Sequence, residues 1–278
     1  MNCVSMTRGS WILTLALAAL TNVAAGQQPA KATDQSAQDA DAAVANPGRP
    51  TVSTPATLTP VGYFQFESGV LGAWTSPGLS SQTSINEVVK FAASHRIQLL
   101  VSSEPFARTR ISEQSGNDAG GVSVGAQAVL YTGEGARPTI SASYFRNVYA
   151  GNAPDLDIGS STNSALLLAS ADLGKFHYDA NLFLNEVESG SVRRGQFGES
   201  LSVSRPLTTK VGLSGEIWHF TQPIIRGNAV GNLWALSYSA SKILVLDAGF
   251  DRGLTNTSTR WEVFGGFSYL LPRRMWRH

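Results

Sequence analysis

The feature that most constrains the fold is an alternation of apolar and polar residues that recurs from Val61 to Leu271. Its clearest copy is Glu87–Arg108, which predicts two strands joined by a short turn at His95-Arg96. A period of two places apolar side chains on one face of a strand and polar side chains on the other. We count about twelve such segments, mostly 9–13 residues long, and about 9–11 residues suffice to cross a bilayer obliquely.

The connections between these segments also alternate. Long polar linkers such as Thr75–Ser84 and Thr109–Gly120 follow the odd segments, and short turns such as Ser241-Lys242 follow the even ones. Outer-membrane barrels combine short periplasmic turns with long external loops and an even strand number. Closure also leaves no unpaired strand edge in hydrocarbon. The sequence therefore predicts an all-β fold, a transmembrane antiparallel up-and-down β-barrel of about 12 strands.

The ends of the chain differ from this pattern. Residues 1–26 have a basic start, an apolar run over residues 11–20 and a small-residue cleavage site, which is typical of a signal peptide. Residues 27–60 lack aromatic side chains and periodicity, and they predict a disordered periplasmic leader. Residues 61–271 are predicted to form the outer-membrane barrel, and residues 272–278 a basic tail.

Composition argues against several classes of function. Residues 1–26 contain one of the 21 basic residues, none of the 20 acidic ones and the single cysteine, Cys3. The remaining chain has no formal net charge, which argues against a nucleic-acid partner. It contains no His/Cys cluster with the spacing of metal ligands and no Gly-rich phosphate loop. We therefore predict no metal and no cofactor.

The polar faces of the strands predict which side chains line the lumen. The candidate lumen residues are Gln65, Glu67, Lys90, Gln98, Glu104, Arg108, Gln127, His177, Asp179, Asn181, Glu216, Asp247, Asp251 and Glu262. They line a selective polar passage or, alternatively, form a structural network in which Lys90 and Arg108 pair with acids and plug the barrel. A barrel of about twelve strands lies between filled eight-stranded and open sixteen-stranded barrels, and this size favours a passage.

Two alternatives to a channel remain open from the sequence. One is a hydrolase built on a membrane barrel, because His177 and Asp179 lie two residues apart on one strand face and their side chains could touch. A charged lumen neighbour explains this spacing equally well, and no serine lies in a G-x-S-x-G context. The protein is therefore predicted not to be an enzyme. A structural or adhesion barrel whose loops bind partners is the other alternative, and the modest length of the loops disfavours it.

Several motifs resemble the MetA-pathway of phenol degradation family of outer-membrane proteins. They are Lys90-Phe91, Arg96-Ile97-Gln98-Leu99, Arg137–Tyr144, Leu167–Leu182, Ser200–Trp218 and Leu246–Leu271. The resemblance implies a barrel with a channel or transport role for small aromatic or other hydrophobic compounds. We accordingly expect a protein of the bacterial outer membrane whose partners are outer-membrane lipid, the barrel assembly machinery and such a solute. The oligomeric state stays open.

Overall fold

The computed structural model describes residues 43–154, 156 and 161–275. Its strands are β1 (Phe64–Ser76), β2 (Leu79–Ala92), β3 (Ile97–Ile111), β4 (Gln114–Asp118), β5 (Val122–Tyr131), β6 (Thr139–Tyr149), β7 (Ser161–Leu173), β8 (Phe176–Ser189), β9 (Val192–Pro206), β10 (Val211–Gln222), β11 (Gly227–Ser239), β12 (Leu244–Gly253) and β13 (Trp261–Leu270). No helix in these described ranges is long and apolar enough to cross a membrane.

Twelve of the strands form a closed antiparallel barrel, as the sequence predicts. Consecutive strands of the barrel are paired, with β3 paired to β5 past the short β4, and β1 closes the barrel against β13. The closing register runs from the pair Gln65 and Leu270 to the pair Trp74 and Trp261. The short strand β4 pairs with β3 alone and forms a hairpin arm at one end of the barrel.

The two faces of the barrel follow the alternation in the sequence. On β11, Leu233 and Ala235 point inward and are 3% exposed, whereas Trp234 and Leu236 point outward and are 48% and 50% exposed. Large apolar side chains stand exposed on the outer face of nearly every barrel strand, and polar side chains fill most inward positions. An apolar exterior around a polar interior is the arrangement of a barrel that lies in lipid.

The long polar linkers are the first point at which the structure differs from the sequence prediction. Most of their residues extend the strands, so that β1 and β2 are joined by Pro77-Gly78 alone and β8 and β9 by Gly190-Ser191. Gly78 and Gly190 have φ values of 90° and 61°, a left-handed conformation that glycine adopts without steric cost. Polar residues outside an apolar band still pair as strands, because antiparallel ladders do not require apolar side chains.

The predicted disordered leader is the second difference. Residues 43–60 enter the barrel and hydrogen-bond to side chains of its inner wall. The prediction of disorder for this part is wrong because the ordering contacts come from the barrel wall and not from a core within the segment. Residues 27–42 and the predicted signal peptide lie outside the described residues, as do residues 276–278 of the basic tail. The described part of that tail meets the start of the barrel, where the Met275 amide donates to the Gly62 carbonyl over 2.8 Å.

Candidate functional site in the barrel lumen

The predicted lumen residues occupy inward positions, with one exception. Ten are buried, namely Gln65, Glu67, Lys90, Gln98, Gln127, Asp179, Asn181, Glu216, Asp247 and Asp251. His177, two residues from Asp179 on the same face, is half-buried. Glu104 and Glu262 line an interior cavity and are partly exposed to it. The wall that these side chains form is the candidate functional site.

Arg108 is the exception, because it points outward. It is exposed, whereas its neighbours Ala107 and Thr109 are buried at 0% and 7% exposure. The register between β2 and β3 shifts next to Pro105, where β3 carries one residue more than β2. A bulge of this kind reverses the face of every later residue in the strand. Proline cannot donate to a ladder and commonly sits at bulges, so Pro105 is the signal that locates the shift.

The lumen contains a part of the chain itself, residues 43–60, which we call the inner segment. Near its start, the amides of Asn46 and Gly48 donate to Gln65 Oε1 and Glu67 Oε1 of β1 over 2.8 and 2.9 Å. Glu67 also forms a buried ion pair with Lys90 of β2, with 2.6 Å between Nζ and Oε1. Burial of these charges is therefore compensated by pairing and by hydrogen bonds, as a low-dielectric interior requires.

An arginine links the inner segment to the opposite side of the closing seam. Arg49 Nε and Nη2 donate to the two carboxylate oxygens of Asp247 on β12 over 3.2 and 3.1 Å. Gly69 and Gly266 leave the space for this guanidinium, because a Cβ atom at either position would overlap it. A two-pronged arginine–carboxylate contact fixes orientation as well as distance, so it defines where the segment crosses the lumen.

The middle of the inner segment is held by one carboxylate. Glu216 of β10 accepts hydrogen bonds from the amides of Val52 and Ser53 over 2.7 and 2.6 Å. The Ser53 hydroxyl donates to the same carboxylate over 2.5 Å and lies 2.8 Å from the hydroxyl of Ser200 on β9. Ser53 is fully buried. Glu216 thus satisfies two backbone donors that would otherwise be buried without a partner.

The last part of the inner segment hydrogen-bonds to strands β8, β7, β6, β5 and β3. The Thr54 amide donates to Asn181 on β8, and the Ala56 amide donates to the Ser170 hydroxyl on β7. The Ala56 carbonyl accepts from Ser141 on β6 and Gln127 on β5, and Thr59 donates to Gln98 on β3. The segment therefore passes around the inside of the barrel from β1 through β12 to β3.

The path closes into a ring. The Asn46 side-chain amide donates to the carbonyls of Thr57 and Leu58 over 3.0 and 3.1 Å. The two ends of the loop are therefore tied together by a residue near its start. The inner segment is therefore a compact loop with close ends, and several of its backbone groups hydrogen-bond to the surrounding wall.

The inner segment lies between two cavities. A distal cavity of about 480 Å³, at the barrel end that bears β4, is lined by Val52, Gln82, Glu104, Trp218, Phe220, Asp251 and Glu262 among others. A terminal cavity of about 670 Å³, at the end where β1 begins and β13 finishes, is lined by Arg49, His177, Asp179, Arg205, Lys210 and Lys242 together with many serines and threonines. The distal lining contains acidic but no basic side chains among the described residues, whereas basic side chains predominate in the terminal lining.

An apolar cluster interrupts the polar wall. Trp218 and Phe220 of β10 and Phe183 of β8 pack inside the barrel, with ring centroids 5.1–6.0 Å apart. Phe220 lies over Gly198 and Trp218 over Gly231, where a Cβ atom would collide with the rings. Trp218 Nε1 donates to Asp251 Oδ2 over 2.5 Å. The sequence places Trp218 on the lumenal face, and the same alternation places Phe220 there too. It likewise extends the face of Asp179 and Asn181 to Phe183, although neither phenylalanine is among the predicted lumen residues.

His177 has carboxylates as its side-chain hydrogen-bond partners and no serine hydroxyl among the described residues. His177 lies between two carboxylates, 2.7 Å from Asp172 and 3.2 Å from Asp179. The nearby hydroxyl of Ser170 donates to Asp179 and not to the imidazole, whereas an activated serine needs direct contact with its base. Within the described ranges, no group of three His, Cys, Asp or Glu side chains is placed to hold a metal ion.

Solved structures of outer-membrane channels and porins resemble this barrel. The COG4313 outer membrane channel from Pseudomonas putida F1 superposes with a TM-score of 0.58 at 13% identity, covering 81% of this chain and 99% of that one. NanC porin gives a TM-score of 0.52 at 11% identity (73% and 100% covered), and KdgM porin 0.51 at 10% (74% and 98%). No family model and no curated protein matches the sequence. The chain therefore has the fold of outer-membrane β-barrel channels and porins.

Proposed function

We propose that the protein is a channel of the bacterial outer membrane that passes small solutes through a lumen narrowed by the inner segment. The observation that carries this proposal is the pair of cavities, about 480 and 670 Å³, on either side of the inner segment within one closed barrel. A lumen with space on both sides of a narrow point is the form that selective pores take.

The two faces of the barrel support the proposed membrane location, and the positions of its chain ends support the orientation of the barrel in that membrane. The exposed apolar exterior fits outer-membrane lipid. The twelve strands of the closed barrel leave the start of β1 and the end of β13 on the same side, which in such barrels is the periplasm. The terminal cavity then faces the periplasm and the distal cavity the outside. Insertion of such a barrel would require the barrel assembly machinery.

The proposed solute class is small aromatic or hydrophobic compounds, and it depends on the resemblance to the MetA-pathway of phenol degradation family. The inward rings of Trp218, Phe220 and Phe183 support this choice, because they give the polar wall an apolar surface. Aromatic side chains in a pore wall favour flat apolar molecules through offset and edge-to-face contacts.

A plugged barrel with a structural or adhesive role is the second candidate. The observation in its favour is the ring of hydrogen bonds that ties the inner segment to nine strands, since so many anchors oppose movement of the segment. The two candidates differ in one property, which is whether ions cross the resting barrel.

Single-channel recording in planar lipid bilayers separates them. We expect the chain beginning at Gln27 to give small discrete current steps, and a variant lacking residues 46–58 to give larger steps because the lumen is wider. A variant lacking residues 27–42, which retains the inner segment, serves as the matched control and should conduct like the parent. Absence of steps from the parent, with steps only from the variant lacking residues 46–58, would support the plugged barrel instead.

A further inference from the structure

We propose that the distal cavity is a binding site for a small organic cation that carries N–H donors beside an apolar body, such as a primary ammonium on an aromatic ring. The assignment of this cavity as the solute site of the channel rests on the proposed function. Occupancy of the cavity itself does not require conduction.

The charge of the cavity wall is the first argument. Four acidic residues line the cavity, namely Glu87, Glu104, Asp251 and Glu262, and no Lys, Arg or His is among its described lining residues. Asp251 and Glu262 are direct cross-strand neighbours on β12 and β13. Charges in a recess with protein walls act on a ligand more strongly than charges on an open surface, because the local dielectric constant is lower.

A buried acceptor without a donor is the second and independent argument. Gln82 of β2 lines the same cavity and is 3% exposed. Its Nε2 donates to Glu104 Oε1 over 3.2 Å, whereas its Oε1 has no hydrogen-bond partner in the described structure. Buried polar atoms nearly always have a partner, and an exception calls for one that comes from elsewhere. The missing partner is a donor, so a cation with N–H groups fits and a quaternary ammonium does not.

The aromatic side of the cavity accounts for the body of the ligand. Trp218 and Phe220 line it, with their ring centroids 6.0 Å apart. The indole is held in place by its hydrogen bond to Asp251 and by the space above Gly231. Aromatic faces attract both cations and apolar groups. A volume of about 480 Å³ lies within the range of small-molecule sites.

Isothermal titration calorimetry of the detergent-solubilised full chain tests the site without any current. The probes are benzylammonium, the neutral benzyl alcohol, and benzyltrimethylammonium, which keeps the charge but has no N–H donor. We expect benzylammonium to bind at least about tenfold more tightly than either of the others. A factor of ten corresponds to about 1.4 kcal/mol, and one charge-assisted hydrogen bond can provide it.

Two variants with the same loss of charge assign the binding to the cavity. Glu262→Gln removes one lining carboxylate at nearly constant shape and should weaken benzylammonium binding by about tenfold. Glu113→Gln removes a carboxylate from the exposed turn before β4 and should leave binding unchanged. Equal weakening by both variants, equal affinity for all three probes or no binding of benzylammonium would each overturn the proposal. A parent chain that binds benzylammonium as expected but gives no current would contradict the channel function alone.

Discussion

The anchoring of the inner segment by Glu216 predicts a measurable local release. Glu216→Ala removes the acceptor of three hydrogen bonds, two from the amides of Val52 and Ser53 and one from the Ser53 hydroxyl. Hydrogen bonds to a charged group contribute about 1.5–3 kcal/mol each, which sets a gross upper limit of about 5–9 kcal/mol. Burying the carboxylate costs several kcal/mol, so we expect a net loss on the order of 2–3 kcal/mol.

Hydrogen exchange at the two amides reports this loss directly. Exchange from locally opened states rises with the population of those states, and about 2–3 kcal/mol corresponds to roughly a 30- to 150-fold increase. Glu216→Gln keeps one acceptor oxygen and should give a smaller increase. Mass spectrometry of peptides covering residues 50–58 in the detergent-solubilised barrel provides the measurement.

A control variant distinguishes release of the segment from general loosening of the barrel. Asn185 is buried in the lumen and donates to Gln196 across the strands, with no hydrogen bond to the inner segment in the described structure. Asn185→Ala should therefore leave exchange at Val52 and Ser53 unchanged. The reasoning fails if Glu216→Ala also leaves it unchanged, or if Asn185→Ala increases it to the same extent.

Three further predictions concern the barrel wall. Leu236→Arg places a charge on the outer face and should cost about 2–4 kcal/mol near the bilayer midplane, seen as a smaller heat-modifiable fraction on denaturing gels. Arg108→Cys should react with a bulky maleimide in folded protein, whereas Thr109→Cys, which points inward, should not. Gly198→Val should destabilise the barrel by about 1–3 kcal/mol through collision with an inner aromatic ring, and Gly195→Val, with open space around it, should be tolerated in denaturant titrations.

Each of these predictions has a contradicting result. Normal assembly of the Leu236→Arg variant would mean that this face of β11 does not contact lipid. Preferential labelling at residue 109 would reverse the assignment of faces beyond Pro105. Equal denaturation midpoints for the two valine variants would show that the ring over Gly198 adapts at no cost.

The regular part of the fold was accessible from the sequence because period-two alternation directly encodes which face of a strand meets lipid. Gln98 and Leu99 illustrate this, with exposures of 2% and 52% on adjacent residues. The sequence prediction places Arg108 on the wrong face because the alternation does not continue unbroken through Pro105, and a proline within a strand indicates a bulge. The polar linkers extend the strands although the sequence predicts loops there, because strand segments outside the membrane carry polar residues on both faces and so show no alternation.

The inner segment was beyond the reach of local sequence reasoning. Residues 43–60 have the composition of a disordered chain, since they contain no aromatic residue and little to form a core. Their order comes from partners more than a hundred positions away, such as Glu216, Asp247 and Asn181. The sequence does contain a clue, which lies in the barrel strands and not in the segment. Their inward-facing carboxylates and amides outnumber the basic side chains able to pair with them.

Disulfide formation between residues 53 and 200 tests most directly that the inner segment lies within the lumen. The two serine hydroxyls are 2.8 Å apart, and the only native cysteine, Cys3, lies in the predicted signal peptide. In outer membranes containing the Ser53→Cys, Ser200→Cys double variant, we expect mild oxidation to join the two cysteines within one chain, as read from disulfide-linked peptides by mass spectrometry. Folded, heat-modifiable barrels in which both thiols stay free after oxidation would contradict the account.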